Sequence, residues 1–452
     1  MSSASPSDQT KTPKIIVLDD DPTGSQTVHS CLLLMRWDVE TLCLGLEDAS
    51  PIVFVLTNTR ALTAEAADAV TREVCRNLKQ AIAQVGLTDW LVVSRSDSTL
   101  RGHYPVETDA IAEELGPFDA HFLVPAFFEG GRVTRDSVHY LKVNGVDTPV
   151  HETEFARDSV FGYRHSYLPD YVAEKTAGRI PADRVERFQL ADLRGDRLTL
   201  EQRLQALTGN QCCVVDGEVQ ADLNQFAAAL LSQASQGKRF LFRSAASILT
   251  ALAALPPQPV AAEAMAQYVR DGRSGVAIVG SHVRKTTEQL QQLLAEPGVV
   301  GIEVPVAELQ GPDRAAIAAS LCDRVLAEVQ RVRADGKTPV IYTSRQELTF
   351  ETVDIRLEFG QAVSALLMAI ERGLPEDIGY LISKGGITSN DTLSDGLALR
   401  SARLLGQILP GVSVVKTADH HPQFPNLPVV LFPGNVGDAN ALALVYRRLS
   451  QI

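Results

Sequence analysis

Lys14-Ile15-Ile16-Val17-Leu18-Asp19-Asp20-Asp21-Pro22-Thr23-Gly24-Ser25 is the stretch whose reading decides the fold. A short β-branched run stops abruptly at three carboxylates, a proline and a glycine, so a strand is expected to run into a polar turn. The same figure recurs downstream. PIVFVLT (51–57) leads to Asn58-Thr59-Arg60, LVVS (91–94) leads to Arg95-Ser96-Asp97-Ser98-Thr99-Leu100-Arg101-Gly102-His103, and HFLV (121–124) leads to Pro125 through Arg132. Between them lie longer amphipathic stretches, such as the segment 64–84 that Thr63 could cap and VETDAIAEEL with Pro105 at its start. Alternation of short strands with helices predicts an α/β fold with a largely parallel sheet flanked by helices.

A second set of strands repeats this logic further along: GVAIVG (275–280), TPVIYTS (338–344), GYLISKGG (379–386), VSVVK (412–416) and VVLFPGN (429–435), with a long helix around 357–371. A length of 452 residues favours two domains. The expected division is a tail over 1–13, an N-terminal domain over 14–255, a proline-bearing linker over 256–273 and a C-terminal domain over 274–452. Residues 130–210 are charged and weakly periodic, and are expected to be an elaboration beside the substrate rather than regular sheet.

A formal charge of -13 argues against nucleic acid or an anionic membrane as partner. The six cysteines show no metal spacing and read as reduced core thiols. The polar opening MSSASPSDQT has no basic start and no apolar run, so a disordered tail, no secretory signal and a cytoplasmic location are expected. The sequence leaves a homo-oligomer open.

In open parallel sheets, ligands bind beyond the carboxyl ends of the strands. Three adjacent aspartates repel one another, which a plain turn would avoid; either a cationic or proton-donating group faces them, or they form an Asx turn into Pro22 with Gly24 at positive φ. In the loop 95–103, arginine can grip a carboxylate in a bidentate fork while Asp97 and the serines address hydroxyls, although an internally paired loop would look the same. In the second half, the turns at Gly280-Ser281-His282, Lys384-Gly385-Gly386-Ile387-Thr388-Ser389 and Pro433-Gly434-Asn435-Val436-Gly437-Asp438 each follow an apolar strand and offer backbone amides to phosphate. No GxxxxGK[ST] and no GxGxxG opening a βαβ unit is present. His420-His421 matches no metal spacing and reads as a solvated loop.

These residues resemble the four-carbon acid sugar kinase family over about Lys14 to Leu444. Its DDxTG motif matches Asp20 to Gly24, its DSTLRG motif matches Asp97 to Gly102, a proline-aromatic-glycine-arginine segment matches Pro125 to Arg132, and its GG[DE]T and GNxG turns match Gly385–Thr388 and Gly434–Gly437. Ile387 departs from the family's acidic residue, and the opening loop lacks the leucine usual before Thr23. The resemblance implies an N-terminal domain for a sugar acid, a C-terminal domain for ATP, Mg²⁺ on the phosphates, and an active site in the cleft between the domains. On that basis Asp20, Asp21 and Asp97 are the candidate catalytic residues. Thr23, Ser98, Arg101 and Arg132 are candidates for the substrate, and Arg60 joins them only on its place at a strand end. Ser281, Gly385, Gly386, Ile387, Thr388, Gly434, Asn435 and Gly437 are candidates for the nucleotide, and no metal ligand is singled out. Phosphoryl transfer is the leading reading; an ATP-independent sugar-acid lyase or isomerase and a non-catalytic sugar-acid sensor are the alternatives.

Overall fold

The computed structural model describes residues 13–345, 348–350, 352–434 and 436–450; of Val353 and Asp354 only the backbone is described. The chain forms two compact units. One comprises the residues up to Asp20 together with Trp37–Ala254; the other comprises Asp21–Arg36 together with everything from Leu255 onward.

In chain order, β1 (Lys14–Asp19) is followed by β2 (Leu32–Leu34), which belongs to the second unit. The first unit continues with β3 (Ile52–Leu56), β4 (Trp90–Arg95), β5 (Ala120–Val124), β6 (Arg132–Arg135), β7 (Val138–Val143), β8 (Val146–Pro149), β9 (Glu186–Phe188), β10 (Gln211–Val215) and β11 (Phe240–Ser244). Its main sheet runs β3-β1-β4-β11-β5-β10-β9, parallel throughout. Parallel pairing needs crossover helices, and the sequence supplies them. The helix Ala64–Val85 begins where Thr63 Oγ1 accepts the Ala66 N–H and ends at Gly86 in the left-handed region. Every residue of β1 and β3 is buried, as strands covered on both faces must be.

The second unit carries β12 (Val276–Val279), β13 (Val299–Val304), β14 (Thr338–Thr343), β15 (Leu381–Lys384), β16 (Ser401–Leu409), β17 (Val412–Lys416) and β18 (Pro428–Phe432). The order β13-β14-β12-β15-β18 is parallel, and β17, β16 and β2 then continue it antiparallel. Two α/β units with mostly parallel sheets agree with the expected fold class.

Three expectations need correction. The sequence places Asp21–Arg36 in the first domain, but its backbone pairs with β16: Ser30 N–H donates to Leu404 C=O and Leu404 N–H to Cys31 C=O. The prolines predict a linker over 256–273, yet Ala262–Tyr268 forms a 3₁₀ helix and Met265 is fully buried with Ala277, Val279 and Tyr380 in the core of the second unit. Residues 130–210 were not expected to hold regular sheet, but β6, β7 and β8 make a three-stranded antiparallel ribbon. Its strands are half-exposed and rich in Arg, Lys and Asp, so the apolar signal that marks the buried strands is missing.

A buried acid supports the second unit. Glu371 is fully buried in the helix Val353–Arg372, where its Oε2 accepts from Thr392 Oγ1 at 2.8 Å, and burial pushes its carboxyl up to about 8. The folded chain therefore keeps a proton that the unfolded chain releases near the ordinary value of 4.5, so this group makes stability fall as pH rises from 4.5 toward 8. The variant Glu371→Gln is expected to flatten that part of the profile in thermal unfolding scans between pH 5 and 8.5; identical slopes in the two proteins would contradict it.

Candidate active site

In the first unit, the candidate residues stand at the carboxyl ends of β1, β3, β4 and β5. Asp20 follows β1 and is almost wholly buried; its carboxylate accepts from Arg60 Nη2 at 2.5 Å and Nε at 3.2 Å, and from Ser96 Oγ at 2.6 Å. Asp97 follows β4 and accepts from Arg101 Nε at 2.7 Å and from the Thr99 hydroxyl. Burial alone would raise the Asp97 carboxyl, but the charges of Arg60 and Arg101 and these hydrogen bonds outweigh it and hold it well below the usual carboxylate range. Asp97 is thus a permanently ionised acceptor and a weak base. Arg101 also lies over the Phe155 ring, 4.8 Å from its centroid.

Arg132 opens β6, donates to the Gly130 carbonyl at 2.6 Å and lies 5.8 Å from the Phe127 ring centroid. Its Nε is buried and has no hydrogen-bond partner among the described residues. Burial and the nearby Arg101 lower its pKa, while Asp97 opposes them. Such a guanidinium is suited to an incoming anion.

The loop after β4 is held through three successive carbonyls. His139 Nε2 donates to Ser98 C=O at 2.8 Å, Tyr163 OH donates to Thr99 C=O at 2.6 Å and Tyr171 OH to Leu100 C=O at 2.9 Å. His139 is fully buried, its Nδ1 accepts from Thr134 Oγ1 at 2.9 Å, and burial lowers its pKa to about 4, so it is neutral near pH 7. All three clamps come from the elaboration at 130–210, which places that region beside the loop.

A buried ion pair lies behind Asp20. Arg243 on β11 donates to Glu107 at 2.6 Å, to Ser94 Oγ at 2.7 Å and to Ser96 Oγ at 2.8 Å, and Glu107 also accepts from Thr59 Oγ1 at 2.6 Å. Gly102 makes this arrangement feasible. At φ +121, a Cβ there would lie 2.4 Å from Ser96 Oγ and 2.5 Å from Arg243 Nη2.

Asp21 is placed differently. Its Oδ1 accepts the Thr23 N–H at 2.8 Å and the Thr23 hydroxyl at 2.5 Å, an Asx turn, and both residues belong to the second unit. Gly24 is not among the glycines at positive φ, which corrects that detail of the expected turn.

In the second unit, the ends of β12, β15 and β18 converge. Ser281 N–H donates to Lys384 C=O at 3.3 Å, Gly385 N–H donates to Phe432 C=O at 2.8 Å, and Thr286 Oγ1 is 3.1 Å from both Ser281 Oγ and Gly434 C=O. Gly385, at φ +127, adopts a backbone that strains any other residue, and a Cβ there would press on Thr388 Oγ1 at 3.0 Å and Ser281 Cβ at 3.1 Å. Ser281, Gly385, Thr388 and Gly434 are therefore together. Gly386 opens onto free space, Ile387 is 75% exposed, and Gly437 is one turn away, where Gln289 Nε2 bonds the carbonyls of Val436 and Asp438. Asn435 lies outside the described residues. Beside Gly280 and His282 is a cavity of ≈ 300 Å³ walled by Val306, Phe350 and Phe359, a shape and polarity suited to a flat heterocycle.

Lys384 is not singled out by the sequence, where it is one member of a glycine turn. It is fully buried, donates to Pro433 C=O at 2.5 Å and lies 4.2 Å from the Phe432 ring centroid, and burial, then Lys285, lowers its pKa to about 7. It ties the ends of β15 and β18 together under the glycine turns. Arg243 and Glu107 are not singled out either, although an arginine following the apolar run Phe240-Leu241-Phe242 inside a buried strand is a readable signal. The clamps His139, Tyr163 and Tyr171 carried none. His421 is structural: its Nε2 bonds Leu397 C=O at 2.9 Å and its Nδ1 accepts the Phe424 N–H at 2.9 Å. No group of three His, Cys, Asp or Glu able to hold a metal ion occurs among the described residues.

A parallel sheet presenting arginines and carboxylates, and a second one presenting converging glycine turns, define a two-domain protein that takes a polar small molecule and a phosphate compound. The comparisons agree. The family model "Sugar-binding N-terminal domain" matches residues 15–252 and the model "Nucleotide-binding C-terminal domain" matches residues 276–442. The chain belongs to the four-carbon acid sugar kinase family. It is 27% identical over 408 residues to the D-erythronate kinase of Heliobacterium modesticaldum, covering 86% of this chain and 80% of that one. It is 30% identical over 191 residues to the D-threonate kinase of Bordetella bronchiseptica, covering 40% of this chain and 45% of that one. A crystal structure from Salmonella typhimurium LT2 shares the fold, with a TM-score of 0.69 at 19% identity over 97% of this chain and 98% of that one.

Proposed function

We propose that this protein is an ATP-dependent kinase that phosphorylates a hydroxyl of a four-carbon sugar acid. The observation that carries this reading is the meeting of Ser281, Gly385 and Gly434 at the ends of three parallel strands, because a lyase, isomerase or sensor of sugar acids has no use for a phosphate-type cradle. The relatives named for D-erythronate and D-threonate support the acceptor class.

In this reading Arg132, with Arg60 and Arg101 beside Asp97, takes the carboxylate of the acid. Asp20 or Asp97 orients the attacking hydroxyl. A loose phosphoryl-transfer transition state asks mainly for positioning and charge neutralisation, so an ionised, weakly basic acceptor is adequate. The amides of the Gly385 and Gly434 turns and Ser281 hold the phosphates, and the cavity beside Gly280 takes the base. The donor set offers no protein cage for Mg²⁺ among the described residues; the ion would arrive on the nucleotide, keeping its waters. No helix among the described residues is long and apolar enough to cross a membrane.

The test is ADP release with D-erythronate, D-threonate, their keto forms and longer aldonates, alongside thermal shifts with ADP-Mg²⁺. The reading expects acid-dependent ADP release and stabilisation by ADP. Acid turnover without ATP would replace it with the lyase or isomerase, and acid binding without ADP release with the sensor.

A further inference from the structure

Ser244 ends β11, between β4 and β5 in the middle of the first sheet, and its carbonyl accepts the Ser96 N–H at 2.8 Å. It is 3% exposed, and its hydroxyl has no hydrogen-bond partner among the described residues. A buried hydroxyl left unpaired loses its hydration with nothing in return, so the group needs an explanation. The hydroxyls of Ser94 and Ser96 are engaged, Ser94 with Arg243, and Ser96 with Asp20 and the Arg101 carbonyl.

Ser244 lines a cavity of ≈ 20 Å³, together with Ser96, Asp97, Arg101, Arg243 and Tyr171. That is room for about one water-sized polar group. The charges around it are already balanced, Asp97 by Arg101 and Arg243 by Glu107, and the remaining wall is Leu100, Leu123 and Pro125. A carboxylate entering here would upset that balance and a methyl would leave the hydroxyl unpaired, whereas a neutral hydroxyl fits both.

We propose that Ser244 is a substrate-contacting residue, its side chain hydrogen-bonding one hydroxyl of the bound sugar acid in this cavity. This rests on the first unit's being the acid-binding side, as in the proposed function, and adds a contact that assigns a hydroxyl rather than the carboxylate to the space beneath the β4 loop.

The test compares wild type with Ser244→Ala by acid titration calorimetry without nucleotide, by ADP-release kinetics and by thermal unfolding, using D-erythronate and D-threonate. Ser244→Ala removes no side-chain hydrogen bond to the described residues, so its Tm is expected to equal or exceed that of wild type. Its Kd and KM for the acid are expected to rise about tenfold, the usual scale for one lost hydrogen bond, with the KM for ATP unchanged. Equal acid Kd values in the two proteins, or a fall in Tm matching the loss of binding, would overturn the assignment. Absence of ADP release by a wild type whose acid binding is weakened by Ser244→Ala would sink the kinase reading and leave this contact standing. A wild type that binds neither acid would remove both.

Discussion

Asp20→Asn is expected to lower kcat by about a hundredfold or more, the usual scale for removing a group that positions or deprotonates a reacting hydroxyl. The geometry explains why so conservative a change should be severe. The Asp20 carboxylate accepts from two nitrogens of Arg60 and from the hydroxyl of Ser96. An amide of the same shape turns one acceptor into a donor, and in either orientation that donor meets a nitrogen of Arg60, Nη2 at one position and Nε at the other, while the charge that balances Arg60 disappears. Arg60 keeps some access to water, at 19% side-chain exposure, so the guanidinium can swing outward. The protein is then expected to remain folded while the acid site loses both its acceptor and the placement of an arginine. Asp21→Asn is the informative comparison. The Asx turn uses a single oxygen, Oδ1, which asparagine retains, so a loss much smaller than for Asp20→Asn is expected in ADP-release kinetics. Near-normal turnover in the double variant would remove both aspartates from the chemistry.

Gly102→Ala is expected to destabilise the first unit by about 3 kcal/mol or more, combining overpacking with backbone strain. A non-glycine residue at φ +121 is strained whatever its surroundings. Here the surroundings add to the strain, because the new methyl would fall 2.4 Å from Ser96 Oγ, 2.5 Å from Arg243 Nη2 and 3.1 Å from Asp20 Oδ2. These are ends of side chains, but they cannot yield cheaply. Arg243 is pinned by Glu107 and Ser94, and Ser96 by Asp20 and the Arg101 carbonyl. The strain must therefore pass into the acid site itself. A fall in Tm of about 6–12 °C is expected for a unit of this size, with acid binding lost more completely than ADP binding. An unchanged Tm would show that the network behind Asp20 is looser than its hydrogen bonds imply.

Local pattern carried much of this protein. Runs such as Lys14–Asp19 and Ile52–Leu56 had to be buried strands, because a β-branched stretch bounded by turn residues has few other stable states. Glycines at Gly385 and Gly102 and the charged loops after β1 and β4 were legible for the same reason: backbone permissiveness and charge density are written in a few adjacent residues. The ribbon β6-β7-β8 was not legible, since its half-exposed strands replace apolar runs with Arg, Lys and Asp.

Tertiary structure alone decided which distant residues complete the site. Arg243 meets Glu107 across 136 positions of sequence, and Tyr163 and Tyr171 reach back 64 and 71 positions to the loop after β4. It also decided that Asp20 and Asp21, adjacent in the chain, serve different units, one bound to Arg60 and the other capping a turn. A sequence fixes hydrophobic period and turn chemistry over a few residues. Which buried charge finds which partner depends on strand order, and that is settled only when the sheets assemble.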